Sequence, residues 1–103
     1  MDRQRVPYSV LMSVYEKENP EYFRQSVESI LNQTLPSDNF VLVCDGPLTP
    51  ALESVLEVYK NALQIVRLPE NHGLGIALNE GLKHCRYELV ARMDSDDISF
   101  PTR

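Results

Sequence analysis

Apolar residues along this chain follow two rhythms. Short, nearly unbroken apolar runs alternate with segments whose apolar residues recur every three or four positions. The runs Tyr8–Val14, Phe40–Cys44 and Gln64–Leu68, with the apolar run that opens Tyr87–Asp97, predict strands. Between the first two, Asn19-Pro20-Glu21 reads as a helix cap, a first helical residue and a first-turn acid. That helix is predicted to run to about Gln33, with Phe23, Val27, Ile30 and Leu31 on one face. Thr49-Pro50 opens a second helix carrying Leu52, Val55, Leu56 and Tyr59 at helical spacing. Asn71-His72-Gly73 leads into a third, from Leu74 to about His84, expected to bury Ala77, Leu78 and Leu82. Turn-forming clusters at Leu35–Asn39 and Asp45-Gly46-Pro47 bracket the second strand.

Strands separated by helices predict parallel pairing through right-handed crossovers, in an α/β fold. Near-continuous apolar strands fit a sheet with helices on both faces. No linker or repeat divides the chain. Residues 1–103 are expected to form a single partial domain, because the fourth strand has no helix behind it. Apolar residues make up 43% of the chain, enough for a core. No apolar stretch approaches the roughly 20 residues that span a bilayer. The charged start Met1–Arg5 has no signal-type apolar region behind it, so a cytoplasmic location, or one peripheral to the inner membrane face, is expected. Cys44 and Cys85 sit far apart at apolar positions and read as two buried thiols. The net charge of −5 and the lack of a basic stripe argue against nucleic acid.

The most chemically informative residues close the fourth run. Asp94, Asp96 and Asp97, with Ser95 among them, crowd three carboxylates at a predicted strand end. Like charges so close raise the cost of ionising one another unless a cation sits there. Carboxylate oxygens suit Mg²⁺, Mn²⁺ or Ca²⁺. A solvated acidic loop with an Asp cap is the plain alternative. Strand one ends in Tyr15-Glu16 and strand two in Asp45-Gly46, so polar clusters converge on one edge of a parallel sheet, the edge where such sheets bind ligands. Other motifs fail. Gly73-Leu74-Gly75 has Leu78 where a dinucleotide fingerprint needs its third glycine. Ser99 stands where a calcium loop needs glycine. His72 and His84 have no metal-pair spacing and read as turn and surface residues, and Ser13 and Ser95 lack a histidine neighbour.

Five ordered segments, Ser9–Glu16, Ser29–Thr34, Val43–Pro47, Asn71–Leu74 and Ala91–Asp97, closely resemble family 2 glycosyltransferases. The resemblance spans Tyr8 to Pro101. It implies a Rossmann-like GT-A fold of the nucleotide-diphospho-sugar transferase kind. It also implies inverting transfer of a sugar from a nucleotide donor, a UDP-sugar above all, to a saccharide or lipid-linked acceptor, with Mg²⁺ or Mn²⁺. On the same basis Ser13, Tyr15 and Glu16 would line the nucleotide pocket, with Tyr15 against the base, and Asp45 would accept a hydrogen bond from it. Asn71, Gly73 and Arg92 would lie near the donor. Asp94–Asp97 would be the DxD-type motif: Asp94 and Ser95 near the donor's hydroxyls, and Asp94, Asp96 and Asp97 the candidate metal ligands. Two motifs depart from the common pattern: Tyr15-Glu16 replaces Tyr-Asn, and Cys44-Asp45-Gly46-Pro47 replaces Asp-Asp-Gly-Ser. The family's acceptor half and its carboxylate base would lie beyond Arg103. A non-catalytic nucleotide-binding module and a haloacid-dehalogenase-like phosphatase are the competing readings. Uncovered apolar surface beside the last strand predicts self-association.

Overall fold

The computed structural model describes residues 7–32 and 38–93, so the acidic segment Asp94-Ser95-Asp96-Asp97 lies outside the described residues. The order of elements is β1 (Ser9–Val14), α1 (Pro20–Leu31), β2 (Asn39–Asp45), α2 (Pro50–Tyr59), β3 (Gln64–Leu68), α3 (Leu74–Leu82) and β4 (Val90–Met93), with a 3-10 turn at Lys60–Ala62. The helix starts are those expected. Asn19 Oδ1 accepts from the amides of Glu21 and Tyr22 at 2.9 and 3.0 Å. Thr49 Oγ1 accepts from Leu52 N at 3.3 Å, and a proline opens both helices. These side chains satisfy amide donors that the first helical turn leaves unpaired.

All pairings are parallel, in the order β3-β2-β1-β4. Alternation along the strands splits the core in two. Val10, Met12 and Val14 of β1, with Phe40, Leu42 and Cys44 of β2, pack under Phe23, Val27 and Ile30 of α1 and Leu52 and Leu56 of α2. Leu11, Val41 and Val43 face the other way and pack with Ala77 of α3. This is the α/β architecture with helices on both faces that the sequence predicts.

Two expectations need correction. The run before the acidic segment is not a fully buried strand: β4 takes only Val90–Met93, and Val90 and Ala91 are half-buried while Arg92 is exposed. Among the described residues it pairs with β1 alone. On α3, Leu82 is 36% exposed and Gly81 is buried instead. Gly81 lies against the sheet so closely that a Cβ there would sit 2.4 Å from Leu11 Cδ1 and 2.7 Å from Val43 Cγ2. The seat of α3 is therefore built from small residues, Ala77 and Gly81, one helical turn apart.

The amino-terminal edge of the sheet is tied by buried polar groups. Ser9 Oγ donates to Asn39 Oδ1 at 2.9 Å, which also accepts from Arg86 N at 3.0 Å. Asn39 Nδ2 donates to Gln64 Oε1 at 3.1 Å, and Tyr87 N donates to Ser9 Oγ at 3.3 Å. Ser9 N donates to Leu89 O at 2.9 Å, which sets β4 beside β1. Ser9 of β1 and Asn39 of β2 thus satisfy amides of the segment leading into β4, and Gln64 of β3 holds the Asn39 side chain in place.

Candidate functional site

Parallel pairing brings the carboxyl ends of all the described strands to one edge. From β1 the chain moves outward through β2 to β3, then returns to the other side of β1 as β4. The order reverses between β1 and β4, and the crevice beyond the carboxyl ends at such a reversal is where open α/β sheets bind ligands.

The strands place several nominated residues around that edge. Arg92 stands opposite Leu11, and Leu11 is buried on the α3 face. Ser13 is two residues further along β1 and opposite Val43, so it lies on that face too, half-buried. Asp45, two residues past Val43 on β2, continues the same face. Ser13, Asp45 and Arg92 therefore share one side of the sheet. Tyr15, 39% exposed, and the exposed Glu16 follow β1 directly, in a turn where Glu18 N donates to Tyr15 O at 3.1 Å.

Asp45 has the most developed environment. It is 5% exposed, and its two carboxylate oxygens accept separately from His72 N at 2.8 Å and Gly73 N at 3.0 Å. Asn71 Nδ2 donates to the Asp45 carbonyl at 3.2 Å. Gly46 has φ +91°, and a Cβ on it would fall 2.8 Å from Asn71 N, so the residue after Asp45 must be glycine for the loop to come this close. Gly73, at φ +96°, is the cap residue of α3, and its carbonyl accepts from Ala77 N at 3.0 Å. Asp45, Asn71 and Gly73, nominated separately, thus form one unit. The His72 amide completes it. Sequence reasoning missed that partner because no local pattern reveals which carboxylate a loop amide meets across 27 residues.

Neighbouring groups brace the same end of β3. Arg67 makes a two-pronged ion pair with Glu53 in the first turn of α2, with both contacts at 2.9 Å. The guanidinium holds the Glu53 carboxyl below its usual range, and Glu53 raises that of Arg67. Both side chains are largely exposed, so the pair contributes at most about 1 kcal/mol. Cys44 is buried on the α1–α2 side of the sheet, and burial pushes its thiol up to about 11. Cys85 packs on the opposite side, half-buried, and both cysteines are free. Among the described residues no cluster of His, Cys, Asp or Glu could hold a metal ion.

Hollows among the described residues lie elsewhere. One of about 580 Å³ opens at the amino-terminal edge between Asn39, Gln64 and Arg86. One of about 320 Å³ runs beside β4, along Tyr8, Val10, Ile30, Leu89 and Met93. Neither contains Ser13, Tyr15, Asp45, Asn71, Gly73 or Arg92.

The sequence pattern of Glycosyl transferase family 2 matches residues 9–103. An uncharacterized glycosyltransferase of Haemophilus influenzae is 54% identical over 98 residues, which cover 93% of this chain and 37% of that protein. The UDP-Gal:alpha-D-GlcNAc-diphosphoundecaprenol beta-1,3-galactosyltransferase of Escherichia coli is 40% identical, over 93% of this chain and 36% of that protein. Among solved structures, S. aureus TarS 1-349 in complex with UDP-GlcNAc superposes with a TM-score of 0.80 at 29% identity, over 93% of this chain and 28% of that one. The chain thus spans little more than a third of the length of these curated relatives. With its parallel sheet, its order reversal beside β1 and its match over nearly every residue, the chain belongs to glycosyl transferase family 2.

Proposed function

We propose that this chain is the donor-binding part of an inverting glycosyltransferase that moves a sugar from a nucleoside diphosphate, a UDP-sugar, to a saccharide or lipid-linked acceptor. The observation that carries this reading is the placing of Ser13, Asp45 and Arg92 on one face of the sheet, at the carboxyl edge beside the order reversal. The reading is supported by the UDP-GlcNAc complex of TarS and by the named activity of the E. coli relative. Polysaccharide or glycoconjugate synthesis is the corresponding role, on the cytoplasmic side and at most peripheral to the membrane. No helix among the described residues is long and apolar enough to cross one.

In this reading the base sits against Tyr15, which leaves β1 part-exposed and can offer a ring face. Ser13 and the Asn71–Gly73 loop, held by Asp45, flank the nucleotide. Glu16, exposed after β1, lies at the rim. Arg92 on β4 supplies a cation facing the diphosphate, in a chain of net charge −5. The acid-rich residues Asp94, Asp96 and Asp97, with Ser95, follow β4 directly in sequence. Their hard oxygens suit a divalent cation, which when bound would offset charge developing on the departing diphosphate. Deprotonation of the acceptor hydroxyl needs a carboxylate base. We assign it to the acceptor half expected beyond Arg103, so the chain alone should bind donor without transferring sugar. Glu16 is the first residue to test if it does transfer. The phosphatase reading is not favoured, because its acidic motif belongs to a first strand and here it follows β4.

Titration calorimetry of the purified protein with UDP, with divalent cation and then with EDTA, tests the reading. Binding that falls sharply in EDTA is expected. Equal affinity in both would remove the metal role, and no binding in either would remove the donor role and leave a non-catalytic module.

A further inference from the structure

We infer that the β4-facing flank of α3, the stripe Leu74, Leu78 and Leu82, is the docking surface for Ile98 and Phe100 of this same chain, which lie outside the described residues. The inference goes beyond the donor-binding reading and stands without it. The three leucines of α3 recur at four-residue spacing, so they form one stripe along the helix. Leu74 is 56% and Leu82 36% exposed, and Leu78 is only partly buried at the margin of the core on that face. Large apolar side chains are thus left open beside the small seated residues Ala77 and Gly81. An exposed apolar row of this kind marks a contact surface.

Handedness fixes which way the stripe points. α3 carries the chain from β3 across to β4, and such crossovers between parallel strands are right-handed. Seen with α3 in front of the sheet and the strands pointing up, β4 lies to the right and α3 runs downward. Followed from the start of a right-handed helix, each residue is rotated about 100° clockwise from the one before. Leu78 follows the seated Ala77, and Leu82 follows the seated Gly81, so both turn from the sheet towards β4. Val90 of β4 and Leu78 accordingly pack against the same core cluster.

The chain itself supplies the occupant. α3 begins at the carboxyl edge, so Leu74 lies at the edge where the chain leaves Met93 of β4. Beyond Met93 come four polar residues, Asp94-Ser95-Asp96-Asp97, and then Ile98-Ser99-Phe100 with two large apolar residues. The step from Met93 to Ile98 can reach about 17 Å, more than the roughly 10–12 Å diameter of a helix with its side chains. A second seat competes, the hollow of about 320 Å³ beside β4 on the α1 face, along Tyr8, Ile30 and Met93. The crossover rule decides between them. A chain that goes on past β4 in the direction from β3 to β4 returns over the α3 face, and the α1 face is reached only by turning back. Docking on α3 holds the acidic segment at both ends, by Met93 in the sheet and by Ile98 and Phe100 on the helix.

NMR of the full chain with labelled Ile and Leu methyls and a labelled Phe ring tests this. Cross-relaxation from Ile98 and Phe100 to the methyls of Leu74 and Leu78 is expected. Cross-relaxation to Tyr8 and Ile30 instead would place the segment in the other hollow and overturn the inference, and so would none to either. An isotope-filtered sample that mixes labelled and unlabelled chains detects a second copy on the stripe, and contacts found only between chains overturn the inference too. Melts of Leu78→Ala, Phe100→Ala and the double variant give an independent readout. Each single variant is expected to lower Tm, and the double variant by less than the sum of the two shifts, because both remove one shared contact. Additive shifts would count against docking. Should Leu78→Ala fail to fold, Leu74→Ala takes its place in the cycle, with the same outcomes.

Discussion

Two glycines of α3 should respond to alanine with opposite sign. In a helix, alanine is favoured over glycine by about 0.5–1 kcal/mol, because the glycine backbone loses more freedom on folding. At Gly75 a Cβ would meet nothing within 4 Å, so the substitution should realise that gain. At Gly81 the same Cβ would fall 2.4 Å from Leu11 Cδ1 and 2.7 Å from Val43 Cγ2. Neither neighbour can yield easily. Both are fully buried on the two central strands, and Val43 is β-branched and stiff at χ1. Overpacking of this kind costs about 1–3 kcal/mol, which exceeds the helical gain and leaves Gly81→Ala destabilised by about 1 kcal/mol at the central values. For a domain of this size, 1 kcal/mol corresponds to about 4–8 °C in Tm. Thermal and denaturant melts of wild type and the two variants should therefore bracket the wild type, with Gly75→Ala above and Gly81→Ala below. If Gly81→Ala melts as high as Gly75→Ala, α3 is not seated on Leu11 and Val43, and the packing described for that face is wrong.

Asn39→Ala should cost about 2–3 kcal/mol, since it strands Ser9 Oγ, Arg86 N and Gln64 at a largely buried position. Arg67→Ala should cost no more than about 1 kcal/mol, since its pair with Glu53 is largely exposed, and urea midpoints with unchanged slope separate the two. Cys44, buried and with its thiol pushed up to about 11, should resist a thiol reagent that labels the half-buried Cys85 first, as mass spectrometry of the labelled protein will show. Because that thiol ionises at 9.0 when unperturbed, the stability it confers is complete below pH 9 and falls as pH rises towards about 11, which melts across that window will register. Asp96→Asn and Asp97→Asn should each raise Tm in metal-free buffer by removing one of three crowded charges, and each should lose the stabilisation that added cation gives wild type. Stabilisation equal to wild type in both would place the metal elsewhere.

Local physics wrote much of this protein into its sequence. The caps at Asn19 and Thr49, the prolines that follow them and the three-to-four spacing of Phe23, Val27 and Ile30 depend on contacts within a turn or two, so the helix starts were legible and their ends differed by a few residues. The strands β1 to β3 were legible for the same reason, as apolar runs that only a sheet covered on both faces can bury. The ordered motifs were enough to identify the family. Other features depend on segments that meet only in space. That β4 lies beside β1, and is half-buried among the described residues, follows from the crossover of α3 to the opposite face, which no residue of Tyr87–Met93 specifies alone. Gly81 rather than Leu82 meets the sheet because the seat on Leu11 and Val43 leaves no room for a side chain. Asp45 was legible as a polar residue at a strand end, but its hold on His72 and Gly73 was not. Hydrogen bonds across 27 and 28 residues exist only once β2 and the start of α3 have been brought together by the packing of the whole sheet.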